Sequence, residues 1–156
     1  MKVTLLYLGK TSSTEIKSLC REYEKRISRY VKIEEAILDN SAIKAGDRNV
    51  ITDKEGELIL KKLLPSDYVV LLDDKGKEFT SLQFSSYIQS LMNQSYKSVY
   101  FIVGGAYGFS DAVYKRANAK VSLSKMTFSH QIIRVIFAEQ LYRAFAIINN
   151  EPYHHE

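Results

Sequence analysis

Residues 99–105 read VYFIVGG, and this stretch decides the fold class of the 156-residue chain. Five successive apolar residues without polar alternation are typical of a strand buried on both faces, and two glycines end the run. Residues 68–72 (YVVLL) have the same character, and residues 3–8 (VTLLYL) come close to it. Strands of this kind are typical of parallel sheets that helices cover on both sides, so the stretch favours an α/β fold.

The segments between these strands show helical spacing of their apolar residues. Ser12 or Ser13 can cap a helix that continues to about Tyr30, and Thr52 and Glu55 have the spacing of a capping box for the next helix. The remaining segments predict, in order, a strand at 33–38, a polar and mobile loop at 40–49 that includes Lys44, a turn at 73–77, a helix from 81, a short helix at 110–118, a brief strand at 120–123 and a long helix at 129–149. This alternation predicts a mostly parallel sheet with helices on both faces.

The composition is that of an ordinary globular protein. Hydrophobic residues make up 46% of the chain and charged residues 26%, with 22 Lys+Arg against 18 Asp+Glu. Seven glycines and two prolines exclude collagen and low-complexity disorder. We expect residues 1–156 to form one domain. The net charge of +4 permits an anionic partner without requiring one.

Two features predict the compartment. Cys20 is the sole cysteine, so an internal disulfide is impossible and a reducing environment is expected. The apolar run at residues 3–8 stops before Lys10, which makes it shorter than a signal-peptide core or a membrane span. We therefore expect a soluble cytoplasmic protein that has no membrane partner.

Three segments are expected to meet at one edge of the sheet. Ligands of parallel sheets bind beyond the carboxyl ends of the strands, which here are residues 72–77, 104–108 and 123–128. Three glycines among residues 104–108 let a ligand approach the backbone, although a tight strand–helix turn explains them equally well. Their spacing does not match a dinucleotide-binding motif, and residues 9–11 (GKT) lack the first glycine of a phosphate-binding loop because residue 4 is Thr.

Metal chemistry is not expected. The histidines are His130, His154 and His155, and none has ligand spacing to the cysteine or to an acidic residue. The cysteine falls on the apolar face of the first helix, which disfavours a nucleophilic role. Asp73 and Asp74 are adjacent in a turn, and we interpret them as solvated.

The last predicted helix carries apolar residues around nearly its whole circumference, which is typical of a helix buried on all sides. One small sheet cannot cover such a helix, so a symmetric homodimer is expected. His130 and Arg134 lie four residues apart near its start. Glu139 and Arg143 have the spacing of an ion pair within one helix.

A basic stripe on the first helix leaves two interpretations open. Arg21, Lys25 and Arg29 recur at four-residue steps opposite the apolar face. Such a stripe can follow the phosphates of RNA. Exposed helix faces are more often charged without any partner, so a solvated face is the interpretation that we favour.

Several motifs resemble the RlmH family, SPOUT-class methyltransferases that act on a pseudouridine of large-subunit ribosomal RNA. These motifs are FIVGGAYG at 101–108, VSLSKMTFSHQ at 121–131, EQLYRA at 139–144 and PYH at 152–154. Residues 71–73 and 76–77 are similar as well, and the likeness spans essentially the whole chain. The family implies a SPOUT-type α/β knot with a mostly parallel sheet, a C-terminal trefoil knot and a homodimer.

The resemblance also implies a site for S-adenosyl-L-methionine and a reaction. The residues that match the family's cofactor positions are Leu72, Gly104, Gly105, Leu123, Ser124, Lys125, Met126, Thr127 and Phe128. His130 is the expected proton acceptor, Arg134 is expected to stabilise an anion or hold a phosphate, and Tyr153 and His154 are expected to help build the active site across the dimer. The implied reaction methylates N3 of a pseudouridine in 23S ribosomal RNA on the ribosome, without a metal.

Two positions depart from the family. Ser129 stands where many relatives have Pro, and both residues suit a helix start. His155 stands where relatives often carry Lys or Arg, so a titratable charge replaces a fixed one.

Two alternative functions remain: a non-catalytic module that binds RNA or the ribosome, and a SPOUT methyltransferase that acts on transfer RNA.

Overall fold

The structure, a computed structural model, describes residues 1–43 and 46–154, and this part of the chain alternates five strands with five helices. In chain order the elements are β1 (Lys2–Leu8), α1 (Thr14–Ile27), β2 (Lys32–Leu38), α2 (Arg48–Lys62), β3 (Tyr68–Glu78), α3 (Ser81–Asn93), β4 (Ser98–Val103), α4 (Asp111–Arg116), β5 (Ala119–Ser122) and α5 (Ile132–Ile148). The predicted alternation is confirmed. Most boundaries differ from the predicted ones by one to three residues.

The five strands form one sheet in the order β2-β1-β4-β3-β5, and every neighbouring pair is parallel. β4 lies at the centre, where Ile102 is paired with Leu6 of β1 on one side and with Leu71 of β3 on the other. The predicted parallel sheet is thus confirmed. All five strands point the same way, so their carboxyl ends lie at one edge.

Two hydrophobic cores cover the two faces of this sheet. Successive residues of a strand point to opposite faces, and Phe101 accordingly packs in one core while Ile102 packs in the other. The first core includes Phe137 of α5 together with residues of α1 and α3. The second includes Ile59 of α2 and Val113 of α4. Helices therefore cover both faces, which explains why the central strands are apolar throughout.

The predicted capping box at the start of the second helix is wrong. α2 begins at Arg48, so Thr52 lies inside it and donates its hydroxyl to the carbonyl oxygens of Arg48 and Asn49 at 3.1 and 3.0 Å. Glu55 is buried and accepts a hydrogen bond from the side-chain amide of Asn40 at 2.9 Å. The spacing of Thr52 and Glu55 instead places both on the buried side of α2. Lys44, in the loop before α2, is outside the described residues.

β3 extends through the segment predicted as a turn. Val121 of β5 is paired with both Leu72 and Lys77, so residues 73–76 bulge out of the ladder. A Cβ atom on Gly76 would lie 2.6 Å from the backbone of Val121, so only glycine fits there. The bulge carries residues 73–75 beyond the edge of the sheet. Pairing between β3 and β5 is long-range, which is why the local pattern showed only a turn.

α5 packs between α1 and α3 and keeps one side partly open. Phe137, Leu141 and Phe145 are fully buried, whereas Ile132 is 39% exposed. Ile136 is only partly buried. This helix is therefore apolar on the side that the single chain leaves partly uncovered. Within residues 1–43 and 46–154, no helix combines the length and the apolar character needed to cross a membrane.

Candidate active site

A cavity of about 350 Å³ opens at the carboxyl ends of β4 and β5 and beside the bulge of β3, where residues 72–75, 104–108 and 123–128 come together. Eight of the nine residues expected to hold the cofactor line it: Leu72, Gly104, Gly105, Leu123, Ser124, Met126, Thr127 and Phe128. Lys125 is exposed and does not line the cavity. The parallel sheet thus places three segments that are distant in sequence around one concave site.

The segment after β5 is shaped by its own hydrogen bonds. Ser122 donates its hydroxyl to the carbonyl oxygen of Ser124 at 3.0 Å, and the Ser124 hydroxyl accepts from the backbone N–H of Met126 at 2.9 Å. These bonds make a tight turn, and Lys125 lies at its tip. The turn explains why Lys125 points away from the cavity although it was expected to hold the cofactor.

The glycine turn after β4 serves both the chain path and the cavity. The backbone N–H of Gly108 donates to the carbonyl oxygen of Gly105 at 3.2 Å, and Gly108 has a φ of +80°. A Cβ atom on Gly105 would lie 2.5 Å from Oε2 of Glu55, which packs beneath the turn. The tight turn that the sequence suggested is therefore present, and the approach of a ligand to this backbone stays a prediction.

We use the word rim for the cavity-lining residues that remain exposed to solvent: Arg48, Asp74, Lys75, Ala106, Tyr107, Met126, Thr127, Phe128 and His130. Met126 is 75% exposed and Phe128 is 40% exposed. Large apolar side chains that stay this exposed beside a cavity are typical of a binding site. The rim thus combines apolar, cationic and acidic groups.

The aspartates that we interpreted as solvated belong to this site. Both Asp73 and Asp74 line the cavity because the bulge of β3 carries them past the sheet edge. Asp73 accepts a hydrogen bond from the Tyr114 hydroxyl and another from the backbone N–H of Lys75 at 2.8 Å. Burial, and then the bond to Asp73, raise the pKa of Tyr114, so this phenol stays protonated and remains a donor.

His130 lies on the rim, just before α5, and is the one histidine among the residues that line the cavity. Its backbone carbonyl accepts a hydrogen bond from Nε of Arg134 at 3.0 Å. Within the described residues, no group of three or more His, Cys, Asp or Glu side chains is placed to hold a metal ion. The His130 imidazole is exposed at the cavity edge.

The structure contradicts the expectation that Arg134 stabilises an anion or holds a phosphate in the site, because its guanidinium does not line the cavity. The residue is completely buried, and its Nη2 atom donates to the carbonyl oxygens of both Leu8 and Gly9, at 3.0 and 3.1 Å. Nη1 also donates to the Thr11 hydroxyl at 2.8 Å. Arg134 therefore holds the loop after β1 and does not reach an anion in the cavity. The side chain points back toward β1, which a spacing of four residues from His130 cannot reveal.

Gln131 strengthens the same attachment, a role that no pattern in the sequence indicated. Its side-chain amide donates to the carbonyl oxygen of Lys10 at 3.2 Å and accepts from the backbone N–H of Ser12 at 3.0 Å. Together with Arg134 it fixes the loop at residues 9–12 against the start of α5. His130 therefore stands on a rigidly anchored turn.

The C-terminal tail packs on α5 of its own chain and does not reach its own cavity. The Tyr153 hydroxyl donates to Oε1 of Glu139 at 3.1 Å, and Arg143 lies 4.9 Å from the centroid of the Tyr153 ring. Nδ1 of His154 lies 3.5 Å from Nη1 of Arg143. The predicted ion pair of Glu139 and Arg143 is confirmed. Glu139 is about 9 Å along α5 from Ile133, the α5 residue in the cavity.

The structure describes one of the two positions that depart from the family. Ser129 accepts a hydrogen bond at its hydroxyl from the backbone N–H of Ile132 at 3.2 Å, so it caps the start of α5 as expected. His155 lies outside the described residues. The basic stripe of Arg21, Lys25 and Arg29 is exposed, so both of its interpretations stay open.

Comparison with known proteins agrees with this geometry. A family model described as "Predicted SPOUT methyltransferase" matches residues 1–154. The chain is 55% identical to the ribosomal RNA large subunit methyltransferase H of Parabacteroides distasonis over the full length of both chains. It is 53% identical to the protein of the same name from Christiangramia forsetii, with 99% of each chain covered, and 48% identical to that of Flavobacterium psychrophilum over the full length of both. The chain is therefore a member of the SPOUT methyltransferase family.

Proposed function

We propose that the protein uses S-adenosyl-L-methionine to methylate N3 of a pseudouridine in 23S ribosomal RNA, with the ribosome as substrate. The observation that carries the proposal is the cavity at the carboxyl edge, where the glycine turn after β4 and the turn after β5 meet. The relatives at 48–55% identity are named for methylation of large-subunit ribosomal RNA. The match to these relatives covers 99–100% of this chain.

The residues present suit this cofactor. A cavity of about 350 Å³ is in the size range of small-molecule sites. Leu72 and Leu123 offer apolar contact to an adenosine, and the glycine turn brings backbone groups to the surface. Asp73 and Asp74 place negative charge beside a ligand that carries a sulfonium and an ammonium group. When bound, the cofactor supplies an electrophilic methyl group.

The chain's own contribution to chemistry is orientation and proton transfer. N3 of the base is an imide nitrogen, and its proton must leave as the new carbon–nitrogen bond forms. We assign His130 as the acceptor of that proton at an imidazole nitrogen, because it is the one imidazole among the residues that line the cavity. Gln131 and Arg134 hold the backbone on which His130 stands, so they are positioning residues.

A second copy of the chain completes the site in this proposal. Tyr153 and His154 pack on α5 away from their own cavity, so they serve catalysis only if they reach the cavity of a partner. The side of α5 that carries Ile132 and Ile136 is apolar and partly uncovered, which suits an interface between identical chains. We therefore propose a homodimer in which each tail contributes to the neighbouring site. Tyr153 would stack on a base.

Three further expectations belong to the same proposal. The trefoil knot of the family stays a prediction for the segment that joins β5 to α5. One sheet with a core on each face supports a single domain over residues 1–156. A protein that modifies ribosomes is expected in the cytoplasm.

An alternative function follows from the basic stripe. Arg21, Lys25 and Arg29 are exposed, and none of them forms an ion pair with another described residue. A non-catalytic module would use this stripe to bind RNA without any need for a cofactor. A transfer RNA methyltransferase is the other alternative, and it would bind the same cofactor.

The test separates these functions in one set of reactions. Calorimetry with S-adenosylhomocysteine, the product of the cofactor, asks whether the cavity binds it. Labelled S-adenosyl-L-methionine is then incubated with intact ribosomes, isolated large subunits, protein-free 23S RNA and transfer RNA. We expect cofactor binding and transfer of label to ribosomes. RNA binding without cofactor binding would favour the non-catalytic module, and label on transfer RNA alone would favour the second alternative.

A further inference from the structure

We propose that Arg48 and Tyr107 form an RNA-contacting pair on the rim, with the guanidinium on a backbone phosphate and the phenol ring against a nucleobase that flanks the target. The inference rests on the proposed function because it assigns residues that bind the same RNA substrate. Neither residue was expected from the sequence, and neither belongs to the positions that match the family's cofactor site.

The two side chains are held together across the cavity edge. Nη2 of Arg48 donates to the carbonyl oxygen of Tyr107 at 3.4 Å, and the guanidinium carbon lies 5.9 Å from the centroid of the Tyr107 ring. Both residues line the cavity. They come from different elements, the first residue of α2 and the glycine turn after β4. The fold, and not the local sequence, makes them neighbours.

Both groups remain available to a partner. Arg48 is exposed and forms no ion pair within residues 1–43 and 46–154. Tyr107 is 46% exposed although it lies beside the cavity. An arginine without a counter-ion beside an exposed aromatic ring is the combination that proteins use to bind single-stranded RNA. Arginine also matches the geometry of a phosphate through two parallel N–H donors.

The backbone beneath the pair is fixed before any RNA arrives. The Arg48 carbonyl accepts the Thr52 hydroxyl at 3.1 Å, which tightens the first turn of α2. The turn that presents Tyr107 is closed by the hydrogen bond between Gly108 and Gly105. Glu55 of α2 packs directly under Gly105, so α2 and the glycine turn support each other. A pair held in this way loses little freedom on binding.

The residues expected to hold the cofactor do not include this part of the rim. They are Leu72 of β3, the first two residues of the glycine turn and residues 123–128. His130, the expected proton acceptor, also stands on the rim, so the target base must enter there. The nucleotides beside that base then pass over other parts of the rim. For these flanking nucleotides, α2 supplies an exposed cation, Arg48, and the glycine turn supplies an exposed aromatic ring, Tyr107.

The experiment compares Arg48→Ala, Arg48→Lys, Tyr107→Ala and Tyr107→Phe with the unchanged protein. Lys61→Ala is the matched control, because Lys61 is an exposed cation at the other end of α2, about 20 Å along the helix. Three quantities are measured: ribosome affinity in the presence of S-adenosylhomocysteine, KM for ribosomes, and the calorimetric Kd for S-adenosylhomocysteine. The affinity measurement does not depend on turnover.

We expect Arg48→Ala to weaken ribosome affinity about tenfold and to lower the salt dependence by about one phosphate contact. Tyr107→Ala weakens it about tenfold through loss of stacking, whereas Tyr107→Phe stays within about twofold because the ring remains. Arg48→Lys falls between, since it keeps the charge and loses the planar donors. The Kd for S-adenosylhomocysteine and the Lys61→Ala control stay within about twofold of the unchanged protein.

Two results would overturn the pair. A weaker Kd for S-adenosylhomocysteine in Arg48→Ala, with unchanged ribosome affinity, would assign the guanidinium to the cofactor carboxylate. Unchanged values for both ligands would make Arg48 and Tyr107 mere lining residues. Absence of methyl transfer by the unchanged protein, with the affinity losses still seen, would instead refute the proposed enzyme and leave the RNA contact standing.

Discussion

The guanidinium of Arg134 lies 4.6 Å from the centroid of the Tyr7 ring, and both side chains are fully buried. The ring belongs to β1 and the guanidinium to α5, so this contact joins the first strand to the last helix. The hydrogen bonds of Arg134 to the carbonyl oxygens of Leu8 and Gly9 extend the same junction. The turn that carries His130 is anchored through it.

Replacement of Arg134 by Met should destabilise the whole fold. The substitution keeps an unbranched, apolar stem in the core but leaves the carbonyl oxygens of Leu8 and Gly9 buried without their donor. We expect the free energy of unfolding to fall by about 2–4 kcal/mol, because several charge-assisted hydrogen bonds are lost together. Urea unfolding followed by circular dichroism measures this loss.

Lys61→Met is the control for that measurement, since Lys61 is exposed and should tolerate the change. Full stability of Arg134→Met together with abolished methyl transfer would mean that Arg134 acts in catalysis. The structural role assigned to it would then be incorrect.

Replacement of His130 by Ala should reduce turnover much more than cofactor affinity. Loss of a positioned base costs about 100-fold or more in kcat. We expect the Kd for S-adenosylhomocysteine to change by less than about threefold, because the imidazole lies on the rim and the apolar contacts come from Leu72 and Leu123. Single-turnover kinetics and calorimetry give the two quantities separately. Weakened cofactor binding with normal turnover would make His130 a residue that only shapes the cavity.

Glu24 should make the protein less stable as the pH rises toward neutrality. Burial, and then repulsion by Glu35, raise the pKa of Glu24 to about 7 from an ordinary value of 4.5. The folded state therefore binds more protons than the unfolded state between these values, so the free energy of unfolding falls across pH 4.5 to 7. Glu24→Gln removes this dependence.

We expect Glu24→Gln to be more stable than the unchanged protein at pH 8, by about 1 kcal/mol once partial solvent exposure is taken into account. The advantage should shrink as the pH falls to 4.5 and vanish below that value, where Glu24 is protonated in both states. Urea midpoints at several pH values measure it. Glu57→Gln, at an exposed position of α2, serves as the control. An advantage that is equal at pH 4.5 and pH 8 would contradict the raised pKa.

The tail can be tested by mixing two inactive variants. Because Tyr153 packs away from its own cavity, His130→Ala and Tyr153→Ala should complement each other if each tail serves the partner. In randomly mixed dimers half of the assemblies pair the variants, and one of their two sites is intact, so about a quarter of normal activity should return. Methyl transfer after co-expression measures it. Mixed dimers that remain inactive would place the tail's function within its own chain.

Local pattern was sufficient to predict the strands and the site segments. The strands at 68–72 and 99–103 are apolar throughout because helices cover both faces of the sheet. An apolar run without polar alternation is visible in the sequence itself. Once the strands are parallel, their carboxyl ends must lie at one edge, so the meeting of residues 104–108 and 123–128 was predictable as well. These features depend on regular geometry.

Features that depend on long-range contacts were not predictable. The direction of the Arg134 side chain is set by carbonyl groups more than 120 residues earlier in the chain. Arg48 reaches the cavity only because α2 packs beside the glycine turn. Asp73 looked like part of a solvated turn because the bulge depends on pairing with β5. In each case the position of the side chain depends on a contact with residues that are distant in the sequence.

The most direct test of the proposed function is to locate the methyl group on the RNA. Ribosomes that lack the modification are incubated with the protein and S-adenosyl-L-methionine, and the 23S RNA is digested and analysed by mass spectrometry. We predict one new methyl group, on N3 of a pseudouridine, which appears only when protein and cofactor are both present. A methyl group on a ribose or on another base, or no methyl group at all, would contradict the proposal.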